Sequence, residues 1–283
     1  MRLVDSHCHL QADRFDSDVD LVLGGARLAG VERLLVPGWD RPSCERALDL
    51  ADRFPWLDVA VGVHPHDAAN VGDDAWPWFV EMARDDRVVA VGETGLDFDR
   101  LFSPPKTQLA NLRRNLALAL EVGKPAILHC RSSEGSREAQ DTLLVELEKA
   151  GLKSTDEPGE SAARPQAIVH SFSGPVDYAQ AVLRLGLAIS FSGLVFRAGE
   201  EASADVARLV PADRLLIETD SPFLSPPGAP RRRNEPEWVA VTGQWLAKVR
   251  GADPEPMGEQ LVASYDRILA RPEPRLTSPG AVD

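Results

Sequence analysis

Val4-Asp5-Ser6-His7-Cys8-His9-Leu10, close to the start of a 283-residue chain, reads as a strand that ends in two histidines. In extended backbone successive side chains alternate faces, so His7 and His9 project one way and Cys8 the other. Two imidazoles on one strand face can grip a single divalent cation, because imidazole suits Zn, Mn, Fe, Co and Ni. An isolated His-x-His is more often a pair of polar turn residues. Here the chain holds six histidines, and each of the other four also closes an apolar run. That repetition makes the motif informative.

Outward from this stretch, short apolar runs alternate with segments of helical spacing. After the first strand, Asp18–Ala29 reads as a helix stopped by Gly30, Val31–Val36 as a strand, and Pro42–Phe54 as a helix. Leu57–Val63 is a strand ending in His64-Pro65-His66, and Asp73–Arg84 a helix that Pro77 limits to starting late or bending. Val88–Val91 delivers Gly92-Glu93-Thr94-Gly95-Leu96-Asp97, Lys106–Val122 is amphipathic, and Pro125–Leu128 ends in His129-Cys130-Arg131. Glu138–Ala150 is helical, and the polar connection 151–165 reads as a surface insertion. Ala167–Val169 ends in His170, Asp177–Leu185 is a helix, and Leu187–Phe191 is a strand. Ala202–Val210 is a helix, and Arg214–Ile217 ends in Glu218-Thr219-Asp220. Glu235–Lys248 and Gly258–Leu269 are final helices. Eight strand–helix units with strands apolar on both faces point to a parallel sheet closed into a (β/α)8 TIM barrel. The expected organisation is one domain over 1–272 and a loose tail over 273–283.

Composition narrows the class. A hydrophobic fraction of 43% and a charged fraction of 27% are those of a soluble globular protein. The net charge of −13 argues against a general electrostatic grip on nucleic acid, although bound cations can dominate the field of a local cleft. Three cysteines (Cys8, Cys44 and Cys130) are too few and too scattered for a disulfide scaffold or a Cys-rich zinc cage, and read as buried free thiols. No apolar run approaches the length needed to span a bilayer, and the N-terminus has no secretory pattern; the expected location is the cytoplasm.

In such barrels the active site is built at the C-terminal ends of the strands. His7, His9, His64, Glu93, His129, His170 and Asp220 all sit there. Four histidines and two carboxylates exceed what one catalytic zinc requires and suit two cations about 3.5–4 Å apart. Glu93 is the candidate bridge, since each carboxylate oxygen can take a separate cation. No lysine stands at that strand end, which removes a carboxylated-lysine bridge.

At this point the ordered motifs carry a resemblance. Asp5-Ser6-His7-Cys8-His9, Gly62-Val63-His64-Pro65-His66, Gly92–Asp97, His129-Cys130-Arg131, His170–Gly174, Glu218–Pro222 and Arg233-Asn234-Glu235-Pro236 resemble those of the TatD family of metal-dependent deoxyribonucleases. The resemblance implies an amidohydrolase-like barrel with two divalent cations (Mg, Mn or Zn). His7, His9, Glu93 and Asp220 would hold one, and Glu93, His129 and His170 the other. It implies phosphodiester hydrolysis, 3′ to 5′ on single-stranded DNA, with RNA and damaged DNA as further substrates. A metal-activated water would attack phosphorus, with Asp220 and Glu93 as the catalytic carboxylates and Asp220 accepting the proton.

His64, Arg131, Arg233 and Asn234 are the candidate substrate contacts, because guanidinium pairs bidentately with phosphate. The chain departs from the family in Pro230-Arg231-Arg232-Arg233, where the usual loop carries a glycine, and in the longer connection 151–165. No membrane and no obligate protein partner is implied, and without a Trp or Tyr ladder the expected nucleic-acid footprint is short. Two rivals stand beside this reading: a binuclear amide or ester hydrolase of the amidohydrolase group, and a non-enzymatic quality-control barrel.

Overall fold

Eight short strands carry the architecture: β1 (Leu3–Asp5), β2 (Val31–Pro37), β3 (Leu57–Val61), β4 (Val88–Asp97), β5 (Ala126–Arg131), β6 (Ala167–Val169), β7 (Ala188–Phe191) and β8 (Leu215–Ile217). Helices α1 (Val19–Leu28), α2 (Arg41–Arg53), α3 (Trp76–Met82), α4 (Pro105–Val122), α5 (Glu138–Lys149), α6 (Val176–Arg184) and α7 (Ser203–Leu209) alternate with them. Helices α8 (Val239–Arg250) and α9 (Pro254–Ile268) follow β8. The computed structural model describes residues 1–152 and 164–270. The expected insertion over 151–165 therefore lies largely, and the expected tail over 273–283 wholly, outside the described residues.

Each strand pairs in parallel with the next, in the order β1 to β8. The ring closes just past the ends of β8 and β1, through Ser6 N to Ile217 O (3.0 Å), Asp220 N to His7 O (2.9 Å) and His9 N to Ser221 O (2.7 Å). The barrel-type fold read from the sequence is the observed one. Burial on both faces explains the near-continuous Val, Leu, Ile and Ala runs: every residue of β3 and β4 is buried.

Local chemistry fixes the helix ends. Asp40 and Ser43 form a reciprocal cap at α2, and Gly123 in left-handed backbone (φ 67°) closes α4.

Most element ends lie within three residues of the sequence reading, and four boundaries differ by more; the first is β1, which stops at Asp5 instead of running on to His9, whose neighbour Cys8 makes only an isolated bridge to Ser221. Strand β4 runs on through Asp97, because Thr94, Gly95, Leu96 and Asp97 pair with Leu128, His129, Cys130 and Arg131 of β5. Gly95 makes this approach feasible: a Cβ there would lie 1.9 Å from the His129 carbonyl oxygen. Helix α8 starts at Val239, after a 3-10 turn over Pro236–Trp238. Helix α9 starts a turn earlier than expected, at Pro254, since the first turn of a helix has no use for the N–H that proline lacks.

The floor of the barrel, at the N-terminal ends of the strands, is sealed by α9. Asp58 at the start of β3 is fully buried and accepts both terminal contacts of Arg33 (2.6 and 2.7 Å) and the Tyr265 hydroxyl (2.9 Å). Gly258 lets α9 lie against the N-terminus, where a Cβ would come within 2.4 Å of Arg2 O.

Candidate metal centre

The opposite end is built differently. Strand β1 ends at Asp5 and the chain bends at Ser6; beyond it, His7 and His9 bring their Nε2 atoms to within 3.2 Å of each other. Glu93, in the extension of β4, lies 3% exposed beneath them. Its Oε2 is 3.2 Å from His7 Nε2 and 3.5 Å from His9 Nε2. Its Oε1 meets His170 Nε2 (2.8 Å), His129 Nδ1 (3.1 Å) and His64 Nε2 (3.3 Å). Asp220 Oδ1 completes the first set at 3.5 Å from His9 and 3.9 Å from His7. All seven residues expected at strand ends thus converge.

Donor atoms arranged tetrahedrally at 2.0–2.2 Å from a cation stand about 3.3–3.6 Å apart. The separations within the first set straddle that span. The chemistry of the set agrees: nitrogen lone pairs facing each other at 3.2 and 3.4 Å are mutually repulsive unless a proton or cation lies between them. The donor groups His7–His9–Asp220, His7–Glu93–His170 and His64–Glu93–His129 each gather three ligand atoms within 4.8 Å. The residues present therefore fit divalent metal, with Glu93 offering one oxygen to each side.

Ring orientation separates His9, His129 and His170 from His64. His9 Nδ1 donates to the Pro37 carbonyl (3.2 Å), His170 Nδ1 to Glu218 (3.1 Å) and His129 Nε2 to Asp97 (3.2 Å). Each bond commits the outer nitrogen and turns a lone pair inward, the arrangement metal-bound histidines adopt. His64 is the reverse. Its Nδ1 accepts the His66 amide (3.1 Å), so a neutral ring carries its proton on the inner Nε2. Burial pushes the His64 imidazole down to about 4, which keeps it neutral and a donor. His7 stacks on His170 at 3.9 Å, and its buried Nδ1 has no hydrogen-bond partner.

The field of the site favours positive charge. Burial alone would raise the Glu93 carboxyl, yet His170, His64, His7 and His129 outweigh it and hold it well below the usual range. Burial likewise opposes charge on His170, but Glu93 and Glu218 on its two nitrogens raise its proton affinity strongly. Burial also raises Asp220, and His9 and His7 overcome it.

Several supporting residues were missed by sequence reasoning. Asp97 is fully buried and binds His129, His66 (2.7 Å) and the Arg100 amide (2.9 Å), which together hold its carboxyl far down against burial. Its signal was present: Glu93, Gly95 and Asp97 share one phase of a strand, had the strand been carried that far. Glu218 and Asp5 gave no comparable signal. Asp5 accepts the Thr219 hydroxyl (2.6 Å) and amide (2.9 Å), which fixes the turn carrying Asp220 in left-handed backbone (φ 54°).

The expected substrate contacts divide. His64 faces the cluster, and Arg131 stands 41% exposed at the rim, 4.0 Å from Asp97. Asn234 is fully buried, with its amide on the Thr219 carbonyl (3.0 Å), so it positions the Asp220 turn rather than touching substrate. Arg233 is held by Asp18 (2.8 and 2.9 Å), Glu235 (2.7 Å) and the Arg14 carbonyl (2.8 Å), and ties its loop to the start of α1. Cys8 is buried, as expected, and Cys130 is half-buried rather than buried.

Comparison with known proteins follows the same lines. A family model described as TatD related DNase matches residues 4–270. The metal-dependent hydrolase YabD of Bacillus subtilis is 33% identical over 88% of this chain and 91% of its own. The 3′-5′ ssDNA/RNA exonuclease TatD of Erwinia billingiae is 35% identical over 95% of this chain and the whole of its own. Among solved structures, the TatD homologue YJJV of Escherichia coli superposes with a TM-score of 0.82, at 28% identity over 96% of this chain and 99% of that one.

Proposed function

The chain belongs to the TatD-related DNase family and is a metal-dependent hydrolase of that kind; from that premise we propose that it is a 3′ to 5′ exonuclease of single-stranded DNA, with RNA as a second substrate. The observation that carries the reading is Glu93, which presents Oε2 to His7 and His9 and Oε1 to His129 and His170. In this reading His7, His9, Glu93 and Asp220 hold one divalent cation (Mg, Mn or Zn), and Glu93, His129 and His170 a second. Bound there, a cation pair supplies Lewis acidity toward phosphoryl oxygens and lowers the pKa of water.

The chain's own groups do the rest. Asp220, in contact with His9 at 3.5 Å and 15% exposed, reaches the edge of the cluster and takes the proton of the attacking water. The bond from phosphorus to the 3′ oxygen of the penultimate nucleotide breaks, releasing a 5′-mononucleotide. His64 donates its inner N–H to a phosphoryl oxygen, and Arg131 holds a neighbouring phosphate from the rim. Glu218, Asp97 and the Pro37 carbonyl keep the ligand rings in the required tautomers. Among the described residues no helix is long and apolar enough to cross a membrane. Three free thiols suit the reducing cytoplasm, where this reading puts the enzyme.

The test is cleavage of 5′- and 3′-end-labelled single strands of DNA and RNA with Mn, Mg, Zn or EDTA. Metal-dependent shortening from the 3′ end, abolished by EDTA, is the expected pattern. A metal-loaded protein that leaves both strands intact, or one that shortens them from the 5′ end, would overturn the assignment.

A further inference from the structure

Two phenyl rings stand where an aqueous cleft has no ordinary use for them. Among the described residues, Phe102 (66% exposed) and Phe223 (51%) are the exposed aromatic side chains, and both are at the mouth of the barrel. The other seven phenylalanines are buried or half-buried.

Phe102 lies in the loop after β4 and Phe223 in the loop after β8, strands four places apart in a ring of eight, so the two rings stand on opposite sides of the mouth. Each abuts a histidine of the site: Phe102 edge-on to His66 at 4.7 Å, and Phe223 edge-on to His9 at 6.2 Å. The flanking backbone is bent in a way an L residue resists, with Leu101 at φ 51° and Leu224 at φ 49°. Near Phe223 the surroundings are cationic although the whole chain is acidic. The Arg14 guanidinium lies 5.8 Å above the ring and donates to the carbonyl of exposed Arg232.

Exposed aromatic faces beside positive charge, on either side of a site for phosphodiester cleavage, are the elements with which single-stranded nucleic acid is held without sequence readout. We infer that Phe102 and Phe223 stack on the bases flanking the scissile phosphate, one taking the terminal base and the other its neighbour. The inference rests on the nuclease reading above and adds how the strand end is seated. A pair of rings rather than a ladder also explains the short footprint expected from the sequence. Base recognition by stacking tolerates any sequence and requires unpaired bases, so duplex ends are poor substrates for the same reason.

The experiment separates this from the nuclease reading by measuring binding and cleavage independently. Binding of a fluorescent oligonucleotide whose last 3′ linkages are phosphorothioates that resist cleavage is followed by anisotropy in Mn-loaded protein, with natural bases or with abasic residues at the last two 3′ positions. Phe102→Ala and Phe223→Ala are compared with the wild type in this assay and in cleavage of unmodified strands. Each phenylalanine change weakens binding of the natural strand by about 5- to 150-fold and leaves the abasic strand's affinity unchanged, while Phe→Trp restores binding. In cleavage of unmodified strands the same changes raise KM and spare kcat.

Equal affinity for natural and abasic strands, or alanine variants that bind the natural strand as tightly as their parent, would overturn the inference. So would an equal loss on both strands, which marks a structural role. Cleavage by the wild-type enzyme is read separately: base-dependent binding lost in both variants, without any cleavage, would sustain the inference and overturn the nuclease reading alone.

Discussion

The two ends of the barrel bury ionisable groups in opposite ways. At the floor, Asp58 is fully enclosed, and a guanidinium and a phenol answer it at 2.6 to 2.9 Å. At the mouth, one carboxylate, Glu93, is approached by five imidazoles, two ligand pairs face each other nitrogen to nitrogen, and the His7 Nδ1 is left over. The floor is complete as it stands, whereas the mouth gathers donor groups that fit divalent metal. Buried charge stabilises a fold only where its partners are built in; where they are withheld, the surroundings are arranged for a ligand.

That contrast can be broken at either end. The largest effect belongs to the mouth: Asp220→Ala should lower kcat by about 10²–10⁴-fold, as for loss of a general base, with the metal-free protein as stable as the wild type. Steady-state kinetics beside urea melts would show it, and near-normal turnover would remove Asp220 from its role. The floor should respond the other way. Arg33→Met takes the guanidinium from the buried Asp58 carboxylate and should cost about 3 kcal/mol of stability, leaving turnover per folded molecule unchanged.

Between these lies Glu218→Gln, which alters the partner of His170 Nδ1 without touching the cluster itself. It should weaken metal binding by about 10–100-fold, measured by calorimetric titration, with little change in the melting temperature of metal-free protein. Chelation sharpens the comparison further. EDTA should lower the melting temperature of the wild type by the linkage of metal binding to folding, and the shift should vanish in Glu93→Gln but persist in Arg33→Met.

The smallest effect is a control on the flank. Glu146 is nearly enclosed by Arg113 (2.6 Å) and Lys149 (2.9 Å), and the Arg113 bond above all depresses its carboxyl to about 2. A folded-state pKa below the unfolded one gives stability that is present above the unfolded value near 4.5 and fades as pH falls toward 2. Glu146→Gln should therefore cost about 1 kcal/mol or less near neutrality and nothing at the acid end of that window, by urea melts across pH.

How much of this could be read beforehand follows from the same physics. Strands buried on both faces leave an apolar signature that survives in any register, so Val88–Val91 and Ala167–Val169 announced themselves. Histidines are rare enough that their recurrence at strand ends marked the mouth. The extension of β4 was hidden because Gly92 and Gly95 look like turn residues in a sequence; only the pairing with β5 reveals that Gly95 is there to let two backbones touch.

Asp97 was lost with that extension. Glu218 meets His170 across 48 residues, Asp5 meets Thr219 across 214 and Asn234 meets the same Thr219 across 15, and alternation says which way a side chain points but not what it will meet. Arg233 shows the converse: a charge run suggested phosphate, and the fold spends that residue on Asp18 and Glu235.

The most direct test of the contrast is to count metal. Equilibrium dialysis against Mn or Zn followed by elemental analysis should find two ions per chain in the wild type and in Arg33→Met, with both sites weakened together in Glu93→Gln. One ion or none in the wild type, or full occupancy in Glu93→Gln, would contradict a mouth assembled around a bridging carboxylate.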